Sequence, residues 1–133
     1  MEDKNYYMTD QEMTDFLESI GGLENGYFPD RGPIKSCSTL EIGNGWFGLV
    51  KELIEKCIAL GWNKQTCQIK EKFGGLRFYI NSASDEVFEA INEAEEKSYK
   101  VCEVTGGPGE LRRDIGWYRT LSNEIYEQEK NKK

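Results

Sequence analysis

The stretch CEVTGGPGELRRDIGWYRTLSNEI, residues 102–125, has the spacing of a four-ligand metal clip with only one ligand in place. Three positions after Cys102 comes Thr105. Sixteen residues then intervene before Ser122, and Ile125 lies three beyond it. Cysteines at 105 and 122 and a histidine at 125 would complete a tetrahedral zinc set. Threonine and serine hydroxyls are poor zinc donors at neutral pH, and isoleucine has no donor atom. The sequence therefore predicts the skeleton of a zinc module without the metal, and no other cofactor.

The local signals in this stretch agree with such a skeleton. TGGPGELRR is a glycine- and proline-rich knuckle leading into a strand, and GWYRTL reads as a second strand. Ser122 is placed to cap a final helix, SNEIYEQEKNKK, with lysines in its last turn. Knuckle, hairpin and helix in that order is the layout of a treble-clef unit. A structural zinc contributes on the order of 10 kcal/mol to folding. Apolar packing has to take its place, and Leu111, Trp117, Leu121 and Ile125 are the expected filling.

Upstream, QTCQIKEKFGGLRFYINS carries the strongest strand signal. Cys67, Ile69 and Glu71 alternate with Gln68, Lys70 and Lys72, and after Gly74–Gly75, Leu76, Phe78 and Ile80 alternate with Arg77 and Tyr79. This predicts a hairpin with a tight glycine turn and one apolar face. Three helices accompany it. Thr9 and Glu12 form a capping box ahead of a stripe of Met13, Phe16, Leu17 and Ile20, closed by Gly21–Gly22. WFGLVKELIEKCIALG offers Trp46, Val50, Leu53, Ile54, Cys57, Ile58 and Leu60 as a broad buried face. Ser84 opens a third helix, with Val87, Ile91, Ala94 and Ser98 packed and its many glutamates solvated. Residues 23–45 are rich in turn signals and read as a loop. The expected fold class is α+β: helices packed on a β-hairpin, followed by a metal-free treble-clef-like unit. The 133 residues suit a single domain, divided into an acidic helical extension (1–30), a helix–hairpin–helix core (43–101) and the C-terminal unit (102–133).

Composition narrows the chemistry. No histidine is present, which removes the commonest general base and metal ligand. Cys37, Cys57, Cys67 and Cys102 have no paired spacing and read as free thiols, with Cys57 and Cys67 in the core. A carboxylate pair could be assembled from Glu71 and Glu103, but 24 acids make such a pair easy to find. No phosphate loop is present, since GGPGELRR lacks the Lys-Ser/Thr ending. Catalysis is not expected. The N-terminus has neither a basic start nor an apolar run, so a cytoplasmic protein with no membrane contact is expected. The net charge of −7 is concentrated in residues 1–30, which hold eight acids and one base. Binding to duplex phosphate is disfavoured for such a chain.

GNGWFGLVKEL (43–53), KEKFGGLRFY (70–79), CEVTGGPGELRR (102–113) and GWYRTL (116–121) together give the chain a resemblance to a family of small proteins of phages, prophages and bacteria. That family has the motifs GDGW…L, EKFGxLRFY and CExCGxPGxLR…GWxxTLCxxH. The resemblance covers residues 43–125 and places the family's metal ligands at Cys102, Thr105, Ser122 and Ile125. It implies a phage or mobile-element protein that acts by binding a bacterial host factor in the host cytoplasm. A defence system of the CRISPR kind is one such factor. Two surfaces are available for binding. Asp10, Glu12, Asp15 and Glu18 form an acidic helix face suited to a host protein with a basic surface, although a purely solubilising role would give the same pattern. Lys70, Lys72, Arg77, Arg112, Arg113 and Arg119, interleaved with Phe73, Tyr79, Trp117 and Tyr118, form a basic and aromatic set suited to a nucleotide or small anion. An immunity protein and a nucleic-acid-binding descendant of a zinc ribbon are further alternatives that the sequence leaves open.

Overall fold

The computed structural model describes residues 5–131. Glu2, Asp3 and Lys4 of the acidic segment, and Lys132 and Lys133 of the stretch expected to form the last helix, lie outside the described residues. The chain runs α1 (Asp10–Ser19), β1 (Glu24–Asn25), α2 (Phe47–Ala59), β2 (Gln65–Lys72), β3 (Gly75–Ile80), α3 (Asp85–Ser98), β4 (Glu110–Arg112), β5 (Arg119–Leu121) and α4 (Asn123–Lys130). Among the described residues this is a mixed α+β fold of four helices, a three-stranded sheet and a two-stranded sheet.

The helices start where their side chains can satisfy the first free amides. Thr9 accepts from the Glu12 amide while the Glu12 carboxylate accepts from the Thr9 amide, which closes the capping box of α1. Ser84 and Ser122 cap α3 and α4 in the same way, each accepting from the amide three residues on. α1 is not an arm appended to a core. Met13 and Leu17 are fully buried, in one apolar cluster with Val50, Ile54, Leu76 and Val87. α3 packs on both β3 and α2. Leu60, expected in the buried face of α2, is exposed because the helix ends at Ala59 and the chain turns away at Gly61.

The segment read as a loop supplies structure of its own. β1 pairs in parallel with β2, Glu24 opposite Gln65 and Asn25 opposite Thr66. Glu41 bridges Lys70 further along the same edge of β2. The expected alternation in β2 slips by one residue. Thr66 faces Ile80 and Gln68 faces Tyr79, so Cys67 is the extra residue of a bulge. Past the bulge the phase changes, and Thr66 and Ile69 both point inward. Cys67 is half-exposed rather than core, its thiol 2.8 Å from the Asn81 Oδ1 acceptor. Thr66 can be buried because its hydroxyl donates to the Tyr79 carbonyl at 3.0 Å.

The β2–β3 turn is Phe73–Gly74, not Gly74–Gly75, since Lys72 and Gly75 are the last paired residues. Phe73 has φ 53° and Gly74 φ 85°. Two successive positive φ values are the pattern of a type I′ turn, whose first position favours Asn, Asp or Gly. A bulky L-residue there costs roughly 1–2 kcal/mol. The Gly74 amide donates to the Glu71 carboxylate at 2.7 Å, which holds the turn closed.

The C-terminal unit is fastened to the rest by a backbone seam. The Gly45 amide donates to the Glu103 carbonyl at 2.8 Å, the Gly43 amide to the Glu103 carboxylate at 2.9 Å, and Trp46 Nε1 to the Val101 carbonyl at 2.7 Å. Tyr6 extends the seam, donating to Gly106 at 2.9 Å and accepting from Gly48 at 2.7 Å. A Cβ at Gly45 would collide with the carbonyl of Cys102 and the peptide of Glu103. Neither backbone segment can retreat without breaking these bonds. Gly45→Ala is therefore expected to destabilise the protein by about 2 kcal/mol or more, measured as a lowered urea midpoint. An unchanged midpoint would show that the seam is looser than its geometry indicates.

Candidate functional site

Of the three positions besides Cys102 expected to match metal ligands, Thr105 and Ser122 hydrogen-bond the Cys102 sulphur, and Ile125 is linked to Ser122 through its amide. Cys102 is fully buried, and the Thr105 amide donates to its Sγ at 3.3 Å. Burial by itself would push the thiol up. The Thr105 side chain and the amides of Thr105, Ser122 and Val104 outweigh it and bring the thiol below its usual value. The Ser122 hydroxyl is committed to the Ile125 amide as the cap of α4. Ile125 has no donor atom to offer a metal. One thiol, two hydroxyls and an alkyl group do not fit zinc. Among the described residues, no three or more His, Cys, Asp or Glu side chains are grouped to hold a metal ion.

The expected apolar filling is only partly present. Leu121 is fully buried, and Leu111 and Ile125 are half-buried. Trp117 is 63% exposed. The strand expected over GWYRTL begins only at Arg119, so Trp117 lies in the β4–β5 connection, outside the strand that would have turned it inward. Polar contacts do much of the closing instead. Thr120 is fully buried with its hydroxyl donating to the Gly74 carbonyl at 2.7 Å, and the Glu103 amide donates to the Thr120 carbonyl at 3.1 Å.

The acidic residues of α1 divide by role. Glu12 is held in the capping box, and Asp10 accepts from Asn44 Nδ2 at 2.8 Å. Asp15 accepts from Gln11 on the helix surface, and Glu18 is exposed. Glu12 and Asp15 also stand on the rim of a cleft of about 600 Å³ between α1 and α2. Met8, Phe16, Ile20 and Ile58 contribute its apolar lining, and Glu55 adds a third carboxylate from α2. Lys51 Nζ lies 3.4 Å from Glu55 and 5.4 Å from the Phe16 ring centroid. An ammonium group therefore already sits against both an acid and an aromatic face at this cleft. Sequence reading found two of its three acids but not Glu55, which lies 40 positions from Asp15 in the chain.

The basic residues do not form one site. Arg119 pairs with Glu129 at 2.8 Å. Arg112 donates to the Leu121 carbonyl and to Asn123, and lies over the Tyr126 ring. Arg77 donates to the Leu76 carbonyl and the Tyr99 hydroxyl, and Lys70 stands opposite it across the hairpin. Lys72 and Arg113 remain, each beside an aromatic ring where the two hairpin tips meet, and the exposed Trp117 precedes Tyr118 in the same connection. There Phe73 and Tyr118 approach edge to face, with ring centroids 6.4 Å apart.

Glu71 and Glu103 are brought close enough to repel each other, yet both carboxylates are occupied by backbone amides, of Gly74 and Gly43 respectively. Burial raises the Glu103 carboxyl above its ordinary value. The Gly43 amide opposes this shift, Glu71 adds to it and Arg119 opposes it. Burial pushes the Cys57 thiol up to about 11, which disfavours its thiolate.

No protein-family model, curated protein or solved structure compared with the chain gives a significant match.

A carboxyl raised by folding binds its proton more tightly in the native state. Its contribution is complete below the ordinary value of 4.5 and is lost as pH rises through the raised native value. Glutamine keeps the acceptor for Gly43 and cannot ionise. Stability of wild type relative to Glu103→Gln, from urea unfolding, is therefore expected to fall as pH rises above 4.5. Parallel curves would contradict this.

Proposed function

We propose that this is a non-catalytic binding protein of phage or mobile-element type that inhibits a bacterial host factor by engaging a basic segment of it in the α1–α2 cleft. The observation that carries the reading is the cleft itself: an apolar floor, three carboxylates on the rim, and Lys51 held between Glu55 and Phe16. Complementary potential steers such a partner and selects it, while apolar anchors on the floor supply affinity. A defence effector with a basic nucleic-acid channel fits this chemistry. The absence of histidine from the chain and the occupied Glu71 and Glu103 carboxylates support binding over catalysis. The order of the knuckle, β4–β5 hairpin and capped α4 supports a treble-clef-like unit that has given up its metal.

Asp10 and Glu12 hold the start of α1, so their reversal would damage the fold along with the surface. Asp15→Lys and Glu55→Lys together test the cleft more cleanly. In affinity capture from bacterial lysate, wild type is expected to retain a host protein with a basic surface and to inhibit it. The double variant is expected to bind that protein about tenfold or more weakly at low salt. Retention unaffected by the double reversal would refute the assignment.

A further inference from the structure

We propose that the joined hairpin tips form a stacking platform for the unpaired bases of single-stranded nucleic acid, a site independent of the α1–α2 cleft. Phe73 is 64% exposed, Trp117 63% and Tyr118 43%. Phe73 occupies a left-handed backbone position that disfavours it, and it recovers little by burial. The edge contact with Tyr118 recovers part of that cost, and a ligand stacked on the exposed face would recover more. The platform is preorganised. The Thr120 hydroxyl and Glu71 carboxylate fix Gly74 from two sides, and a Cβ on Gly74 would strike Leu111.

The charges point to a nucleic acid. Lys72 Nζ lies 5.6 Å from the Phe73 ring centroid, and the Arg113 guanidinium 5.7 Å from that of Tyr118. Among the described residues neither cation has a carboxylate partner within ion-pair distance. Each is thus available to a phosphate beside a stacked base. The exposed apolar side chains of the tip are all aromatic, which suits π-faced ligands. The Phe73 and Tyr118 planes are inclined at 63°, so they make no parallel slot for one base but two separate faces for successive bases. That geometry favours a strand over a free nucleotide.

Trp46 and Trp62 are buried, so quenching of tryptophan fluorescence reports mainly on Trp117. The full chain should be titrated with single-stranded oligothymidylate of about twelve nucleotides at low salt. Matching titrations with thymidine monophosphate and with duplex DNA of the same length separate the sources of base and phosphate. Quenching by the oligonucleotide is expected, with log K falling against log salt at a slope of about −1.4 for two phosphate contacts. Phe73→Asn should weaken binding about tenfold while leaving the thermal midpoint unchanged or raised, because Asn-Gly suits the turn. Tyr118→Ser should weaken binding similarly. The proposal is overturned by no quenching at low salt, by equal binding to duplex or mononucleotide, or by indifference to both substitutions. Failure here leaves the cleft untouched, because Asp15 and Glu55 contribute nothing to this measurement.

Discussion

Gly45 lies against the Cys102–Glu103 peptide with no room for a methyl group, and this contact joins the two ends of the chain to its centre. Backbone bonds from Gly45, Gly48 and Tyr6, the Glu103 carboxylate on Gly43 and the indole of Trp46 all cross the same seam. Buried amides and carbonyls must be paired, so segments at such close approach fix each other's position. The knuckle from Cys102 to Gly109 is thereby held by hydrogen bonds to the rest of the chain. Its sulphur accepts backbone amides, and the Tyr6 amide bonds to Gly106 from outside.

With the knuckle fixed, the second hairpin can serve the first. Thr120 reaches Gly74 from β5, and Leu111 packs where a side chain on Gly74 would have been. The two tips are thus locked together although their turns come from different sheets. A strained turn with a solvent-facing Phe73 is kept in one place by this support. Glu71 and Glu103, close enough to suggest an acid pair, are instead the two carboxylates that close the turn and the seam.

The two candidate surfaces have opposite character and separate supports. The α1–α2 cleft combines a greasy floor with acids, and Lys51 shows what kind of group it accommodates. The hairpin tips combine aromatic rings with cations. A target that carries both basic protein segments and exposed single-stranded nucleic acid would meet both.

The sequence by itself determined what depends on neighbours in the chain. Thr9, Ser84 and Ser122 cap their helices through amides three residues away, and the stripes of α1, α2 and α3 follow from helical periodicity. The chemical unfitness of Thr105, Ser122 and Ile125 for zinc was equally legible, since a donor atom is a property of the residue. Tertiary structure alone decided the phase of β2, where a bulge at Cys67 turned Thr66 inward. It also placed Trp117 in solvent, consumed Arg112 and Arg119 in internal contacts, added Glu55 to the acidic rim, and set Phe73 beside Tyr118. The physical reason is range: the bond that joins the hairpin tips links residues 46 positions apart, and no local period encodes which of them will meet.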